Sequence, residues 1–325
     1  MVMLRGPTVK LADGNEIPQV GFGTWQAPDE QVKAAVVASL KAGYRHLDLA
    51  KVYGNQKAVG EGIKESGVPR SEIFITSKLW NSSHAPENVP AALEDTLKEL
   101  DLEYLDLYLI HWPVAFVAEG EPTQNLFPKE GNEVKIDDKT SIVDTWKAIV
   151  ELKKGGKVKS IGVSNFSPKM IDAITSATGV APVVNQIERH PSLLQKDLVK
   201  YAKEKNIHLT AYSGFGNNSI GEPLLIEHPT IKKLAEQHNT GAGNILISWG
   251  IHSGHSIIPK SVTPSRIASN FALVDLKPDD ITAIELIGEQ KEQRFNVAVD
   301  YSPKWDIDVF GTEREKGAKY QIKLT

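Results

Sequence analysis

Cysteine is absent from this chain of 325 residues. That excludes disulfides, thiolate metal sites and cysteine nucleophiles, and it fits a reducing compartment. Long apolar runs are missing too. The most apolar stretch, YLDLYLIHWPVAFV, is interrupted by Asp106 and His111, so no membrane-spanning helix of roughly 20 apolar residues is expected. Positive charge is not in excess: 37 Lys and Arg face 41 Asp and Glu, a net charge of −4, which leaves no basic footprint for nucleic acid. The opening residues, MVMLRGPTVKLADGN, carry no apolar h-region. No secretory signal is therefore expected, and the cytoplasm is the expected location. No G-x-G-x-x-G follows a strand candidate, so a Rossmann dinucleotide site is not indicated.

What is present is a regular alternation. Hydrophobic residues make up 41% of the chain and charged residues 24%, enough for a large core under a polar surface. Short β-branched or aromatic runs stand at 20–23, 45–49, 73–77, 105–110, 158–163, 183–187, 208–211 and 256–258. Several, such as IFIT, IGV and LTAY, read as strands buried on both faces, as in a parallel sheet. Between them lie segments with helical spacing. Residues 86–100 align Val89, Leu93, Leu97 and Leu100, with Pro86 and Glu87 suited to a first turn. Residues 141–154 open on Ser141 and Asp144, a capping-box pattern, and stop at Gly155-Gly156. Two more helices are predicted at 231–238 and 244–252, both before the eighth strand.

Eight βα units in a single domain, 1–325, predict an α/β fold of the (β/α)8 TIM-barrel type. Three pieces stand outside the alternation. Residues 7–18 read as a hairpin turning at Asp13-Gly14, placed to plug one end of the barrel. Residues 114–140 are a long loop after the fourth strand. Residues 293–325 form a tail expected over the active-site face. Loops of this length in a compact enzyme are more often functional than accidental.

The polar residues fall at strand ends. Asp48 ends the second strand and Tyr53 lies just beyond. Lys78 follows the third, His111 the fourth, Ser164-Asn165 the fifth. Gln186 lies near the end of the sixth, Tyr212 follows the seventh and Lys260 the eighth. Active sites of these barrels are built at the C-terminal face of the strands. Taken singly, each such residue is more often a loop residue or half of a structural ion pair. Taken together, they put a carboxylate, a phenol, an ammonium and an imidazole at one mouth.

At these residues the chain resembles the aldo-keto reductase superfamily. The stretch GYRHLDLAKVYGNQKAVGEGI carries the family's Asp and Tyr, ITSKLW its Lys and DLYLIHWP its His. GKVKSIGVSNF and VNQIERHP match the cofactor-side motifs, and IPKSVTPSRIASN the C-terminal signature. Within the family the chain is most similar to the fungal NADPH-dependent aldehyde reductase and glycerol dehydrogenase group. Some positions depart from the common pattern. Leu49 stands where Thr or Ser is frequent, and Gln56 replaces a usual Glu. SGFGNN follows Tyr212 in place of Ser-Pro-Leu-Gly, and Ser269 replaces a frequent Glu near the adenine.

The resemblance implies reduction of aldehydes, and of ketones or aldoses, to alcohols by a monomer using NADPH. Tyr53 is then the proton donor. A free tyrosine titrates near pH 10, so a neighbouring cation is needed to ease proton release. Lys78 is the expected cation, Asp48 its counter-ion, and His111 the group that orients the substrate oxygen. Cofactor contacts are expected from Thr24, Trp25, Asp48, Ser164, Asn165, Gln186, Tyr212, Ser213 and Gly216. The 2′-phosphate end is assigned to Lys260, Ser261, Val262, Thr263 and Arg266, with a helix start near Pro264, and Asn270 is placed at the adenine. Trp25, Trp80 and Trp112, with His111, are the expected substrate wall. No metal is expected. His46 and Asp48 form an H-x-D pattern without further ligands. Two other readings stand beside this one. A Schiff-base aldolase would use Lys78 or Lys260, and a non-catalytic NADPH-binding sensor would need the fold alone.

Overall fold

Side chains alternate along a strand, so a closed ring of strands sends every second residue inward and packs the others against surrounding helices. The computed structural model, which describes residues 6–217 and 221–325, is built this way. Residues 1–5 and 218–220, which include Asn218 of the SGFGNN segment, lie outside that description.

β1 (Thr8–Lys10) and β2 (Glu16–Pro18) form an antiparallel hairpin. The chain then alternates β3 (Phe22–Gly23), α1 (Asp29–Ala42), β4 (His46–Asp48), α2 (Gln56–Ser66), β5 (Phe74–Leu79), α3 (Val89–Leu100) and β6 (Leu105–Ile110). A small antiparallel excursion follows, β7 (Lys129–Glu130) and β8 (Glu133–Val134). Alternation resumes with α4 (Ile142–Lys154), β9 (Val158–Ser164), α5 (Pro168–Thr178), β10 (Val184–Glu188), α6 (Lys196–Glu204) and β11 (His208–Tyr212). Two helices, α7 (Pro229–Gln237) and α8 (Ala242–His252), precede β12 (Ser256–Ile257). After α9 (Pro264–Asn270) and α10 (Pro278–Gln290), the tail adds β13 (Ile307–Asp308) and β14 (Tyr320–Gln321).

The eight barrel strands pair in parallel and in order, apart from the excursion. Parallel bridges Val20↔Ile257 and Gly23↔Lys260 join the first to the last and close the ring. The outer core is one apolar cluster that includes Leu47, Ile75, Ile110, Val163 and Ile187 from the strands and Val36, Leu93, Trp146 and Ile171 from the helices. The hairpin plugs the N-terminal end, where Leu11 and Ile17 pack with Phe74, Leu107, Leu109 and Val184. Asn15 reaches Ser160 at 3.0 Å, and Asp13 pairs with Lys153 at 2.9 Å.

The helix signals were partly displaced. Ser141 caps α4 by accepting from Asp144 N at 3.1 Å, as its spacing predicts. The helix predicted from Pro86 starts at Val89 instead, after a turn, with Pro90 in its first turn. The third, fifth, sixth and seventh strands run one or two residues further than their apolar runs, so Lys78, Ser164 and Tyr212 lie within strands.

Candidate active site

Period-two alternation decides what enters the barrel. On β4, β5 and β10 the inward series include Asp48, Lys78, Gln186 and Glu188, because their neighbours Leu47, Leu79 and Ile187 belong to the outer core. Asp48 and Lys78 are 1% and 0% exposed. Lys78 Nζ donates to Asp48 Oδ1 at 2.6 Å and to the Leu49 carbonyl at 2.6 Å. Gln186 Nε2 donates to Asp48 Oδ2 at 2.7 Å. Both carboxylate oxygens are therefore engaged, which is what allows the charge pair to sit out of water. Burial pulls the Lys78 ammonium below its ordinary value, against the opposing pull of Asp48. An amine this buried, with two short acceptors, is badly placed to attack a carbonyl, which weighs against the aldolase reading.

Tyr53 is carried on a short 3-10 turn, Lys51–Tyr53, closed by Gly54 in the left-handed conformation (φ 71°). Its ring lies 5.4 Å from Lys78 Nζ and 6.0 Å from the His111 ring. Burial first, then the Asp48 and Tyr301 charges, push the phenol well above its usual value. This is the reverse of the expected effect of Lys78. The reason is burial, the largest cause, which the Lys78 ammonium, paired with Asp48, does not offset. In this form Tyr53 is a loaded proton donor.

His111 stands one residue past β6. Its Nδ1 is buried without a hydrogen-bond partner. Burial, the Lys78 charge and His84 hold the imidazole well below its ordinary value. It is neutral at pH 7 and suited to donating a hydrogen bond rather than a full proton.

The residues assigned to the nicotinamide end hold one another. Tyr212 OH donates to Asn165 Oδ1 at 2.6 Å. Asn165 Nδ2 donates to the His111 carbonyl at 3.0 Å, from a backbone at φ 65°. Ser164 Oγ donates to the Gln186 carbonyl at 2.9 Å. Thr24 is fully buried and its hydroxyl donates to the Asp48 carbonyl at 3.0 Å. Ser213 (φ 53°) and Gly216 (φ 71°) shape the loop after β11. At the far end, Lys260 and Arg266 are exposed and, among the described residues, in no ion pair. Arg266 donates to Thr263 Oγ1 at 2.7 Å, and Thr263 N donates to Ser261 Oγ at 3.2 Å. Val262 and Asn270 are half-buried beside them. α9 begins at Pro264 with Thr263 before it, as the spacing predicts.

The three tryptophans separate. Trp80 and Trp112 are buried, each packed edge-on against Trp305 of the tail at 5.7 and 5.4 Å. Trp80 also meets His111 at 5.2 Å and Phe127 at 5.3 Å. Trp25 is 47% exposed and outside this cluster.

The sequence reading missed two residues. Glu188, two positions after Gln186, points to the same face. It accepts from His190 Nε2 at 3.0 Å, Phe295 N at 2.7 Å and Asn296 N at 2.9 Å, and so fastens the start of the tail to the barrel mouth. Strand alternation alone would have picked it out. Tyr301, in the tail, lies close enough to Tyr53 and Tyr212 to affect both phenols; no sequence signal places it there. Among the described residues, no group of three or more His, Asp or Glu gathers as if for a metal ion, and no helix is long and apolar enough to cross a membrane.

Comparison with known proteins agrees with this geometry. A model of the Aldo/keto reductase family matches residues 19–289. The D/L-glyceraldehyde reductase of Hypocrea jecorina is 53% identical, over 99% of this chain and 100% of that protein. The rat aldo-keto reductase family 1 member A1 is 42% identical over 88% of this chain and 90% of its own. A Bombyx mori aldo-keto reductase, solved in complex with NADP, superposes with a TM-score of 0.82 at 36% identity, covering 91% of this chain and 96% of that one.

Proposed function

This chain belongs to the aldo/keto reductase family, and we propose that it reduces small aldehydes to alcohols with NADPH, Tyr53 giving the proton. The observation that carries this reading is the mouth itself: a protonated Tyr53 beside the buried Lys78–Asp48 pair and a neutral His111.

The residues suit the cofactor. Lys260 and Arg266, exposed and without acidic partners among the described residues, with the Ser261 and Thr263 hydroxyls, would hold a 2′-phosphate. Tyr212 would present its ring to the nicotinamide, with its hydroxyl tied to Asn165. When bound, NADPH supplies the hydride that adds to the carbonyl carbon. Tyr53 transfers its proton to the carbonyl oxygen, which completes the alcohol. His111 orients that oxygen through a ring N–H. Trp80 and Trp112, with Trp305 over them, exclude water and shape an aromatic wall. Trp25, at the exposed rim, would meet cofactor or substrate only as they enter.

The substrate placed first is glyceraldehyde, because the relative named for that activity matches the chain end to end at 53% identity. We read residues 1–325 as one domain acting as a cytoplasmic monomer. The test is NADPH oxidation at 340 nm with glyceraldehyde, xylose and a nitrobenzaldehyde, with NADH alongside. Turnover with NADPH and little with NADH is expected. Arg266→Ala should weaken NADPH far more than NADH; equal loss for both would overturn the 2′-phosphate assignment.

A further inference from the structure

Lys51 lies two residues before Tyr53, in the same 3-10 turn. Its ammonium is only 11% exposed and meets Asp95 at 2.5 Å and also Glu99, one helical turn apart on α3. Glu99 uses its other oxygen to accept from Gln56 Nε2 at 2.8 Å. Gln56 is 1% exposed, and its Oε1 accepts from Ser77 Oγ at 2.6 Å. Ser77 is the neighbour of Lys78 and faces the helices, while Lys78 faces the barrel. A continuous polar chain, Lys51–Glu99–Gln56–Ser77, thus runs along the outer face of the barrel. It joins the turn that carries Tyr53 to the strand that carries Lys78.

The chain also explains the departure at Gln56. A glutamate there would put a second carboxylate against Glu99 and could not donate to it. The neutral amide can donate to Glu99 and accept from Ser77 at once. α2 and α3 approach closely enough for this because Gly60 sits against the Leu100 carbonyl, where a Cβ would overlap it. The turn is also held by backbone bonds from Tyr53 N to the Ala50 carbonyl and from Gly54 N to the Lys51 carbonyl, both 3.1 Å, and by Val52 against the aromatic cluster. Just beyond it, Asn55 Nδ2 donates to the Thr24 and Ala27 carbonyls at 2.9 and 3.0 Å. The Lys51 chain is what ties the turn to β5 on the outer face.

We propose that Lys51 is a positioning residue: through Asp95, Glu99, Gln56 and Ser77 it sets where the Tyr53 turn stands relative to the Lys78 strand. It touches neither substrate nor cofactor. The inference rests on Tyr53 being the proton donor.

The test compares Lys51→Met, Lys51→Arg and Glu99→Gln with wild type, with Tyr53→Phe as control. Lys51→Met should lower kcat about tenfold, in line with the sensitivity of reaction rate to small misplacements. NADPH affinity and aldehyde KM should stay within about twofold, and the solvent isotope effect on kcat should rise as proton transfer slows. Lys51→Arg should restore most of kcat. Glu99→Gln, which leaves Lys51 paired with Asp95, should show a smaller loss in the same parameter; it stands in if Lys51→Met does not fold. Unchanged kcat in both Lys51→Met and Glu99→Gln would overturn the proposal. So would a parallel loss of kcat, NADPH affinity and thermal stability without rescue by arginine. Turnover by Tyr53→Phe would instead sink the functional reading. An inactive Tyr53→Phe beside a normal Lys51→Met would sink only the positioning role.

Discussion

The barrel mouth and the covering tail solve the same problem by different means. At the mouth, polar side chains are held by the strands that carry them, and they pair across the ring: Lys78 with Asp48, Gln186 with Asp48, Tyr212 with Asn165. In the tail there is little regular structure, so backbone N–H groups are satisfied by buried carboxylates. Glu188 takes Phe295 and Asn296. Glu315, 1% exposed, accepts from Val309 N at 2.9 Å and Thr312 N at 2.9 Å. The tail also hydrogen-bonds to the loop after β6, through Val134 N to the Lys304 carbonyl and Lys304 N to the Asn132 carbonyl. The aromatic residues Trp305, Phe116 and Phe127 fill the space between. On the reading proposed above, chemistry belongs to the ring and substrate fit to segments that two carboxylates hold in place.

If that division holds, damage at the mouth should remove turnover and damage in the tail should alter substrate binding. Lys78→Met should have the largest effect. It leaves Asp48 buried and unpaired, costing about 3–5 kcal/mol of stability, and should lower kcat by about 10³-fold. Steady-state kinetics with thermal melting would check both. Glu188→Ala should act on the tail. Two N–H groups and His190 lose their acceptor, a cost of about 2–3 kcal/mol. Aldehyde KM should rise while kcat changes far less; a selective loss of kcat would break the division.

The barrel as a whole and the tail should also differ with pH. Burial, with the His46 charge, pushes His208 in the barrel down to about 4, and burial pushes His84 down to about 3. A histidine whose folded pKa is depressed contributes stability that is present above its unfolded value near 6.5 and lost as pH falls toward the folded one. For His208 that amounts to about 3 kcal/mol. Glu188 is raised by burial, but His190 and the tail N–H groups hold it below its ordinary value overall. Its contribution is present above the usual carboxylate range, near 4.3, and lost only below it. Melting temperature should therefore begin to fall below about pH 6.5, and His208→Gln should flatten that limb. Glu188→Gln should change only the limb at lower pH. The smallest effect is expected from Trp305→Ala. It should shift preference toward bulkier aldehydes, read as the ratio of kcat/KM for nitrobenzaldehyde and glyceraldehyde, with kcat for glyceraldehyde little changed.

The same contrast sets what could be read from sequence. Barrel strands announce themselves by apolar runs, and polar residues at their ends mark the mouth, so Asp48, Lys78 and His111 could be placed before any coordinates. Glu188 obeys the same period-two rule but lies beyond the apolar run at 183–187. Tail geometry depends on contacts such as Phe295 N to Glu188, 107 residues apart in sequence, and no local pattern encodes them. Trp25 shows the limit of reasoning by residue type: it follows a strand end as Trp80 and Trp112 do, yet it is 47% exposed and stands outside the cluster that Trp305 joins. The upward push on the Tyr53 phenol is illegible in sequence for a related reason: it comes first from burial. The motif names Lys78 and its counter-ion Asp48, which the structure pairs at 2.6 Å, but not how deeply the phenol is buried.

The most direct test of the account is turnover by Tyr53→Phe, with NADPH binding measured on the same preparation by fluorescence. The substitution removes one hydroxyl and keeps the ring. The account predicts NADPH binding within about twofold of wild type and a loss of reduction of at least about 10³-fold, the scale of a lost general acid. Turnover near wild type with NADPH bound normally would contradict it.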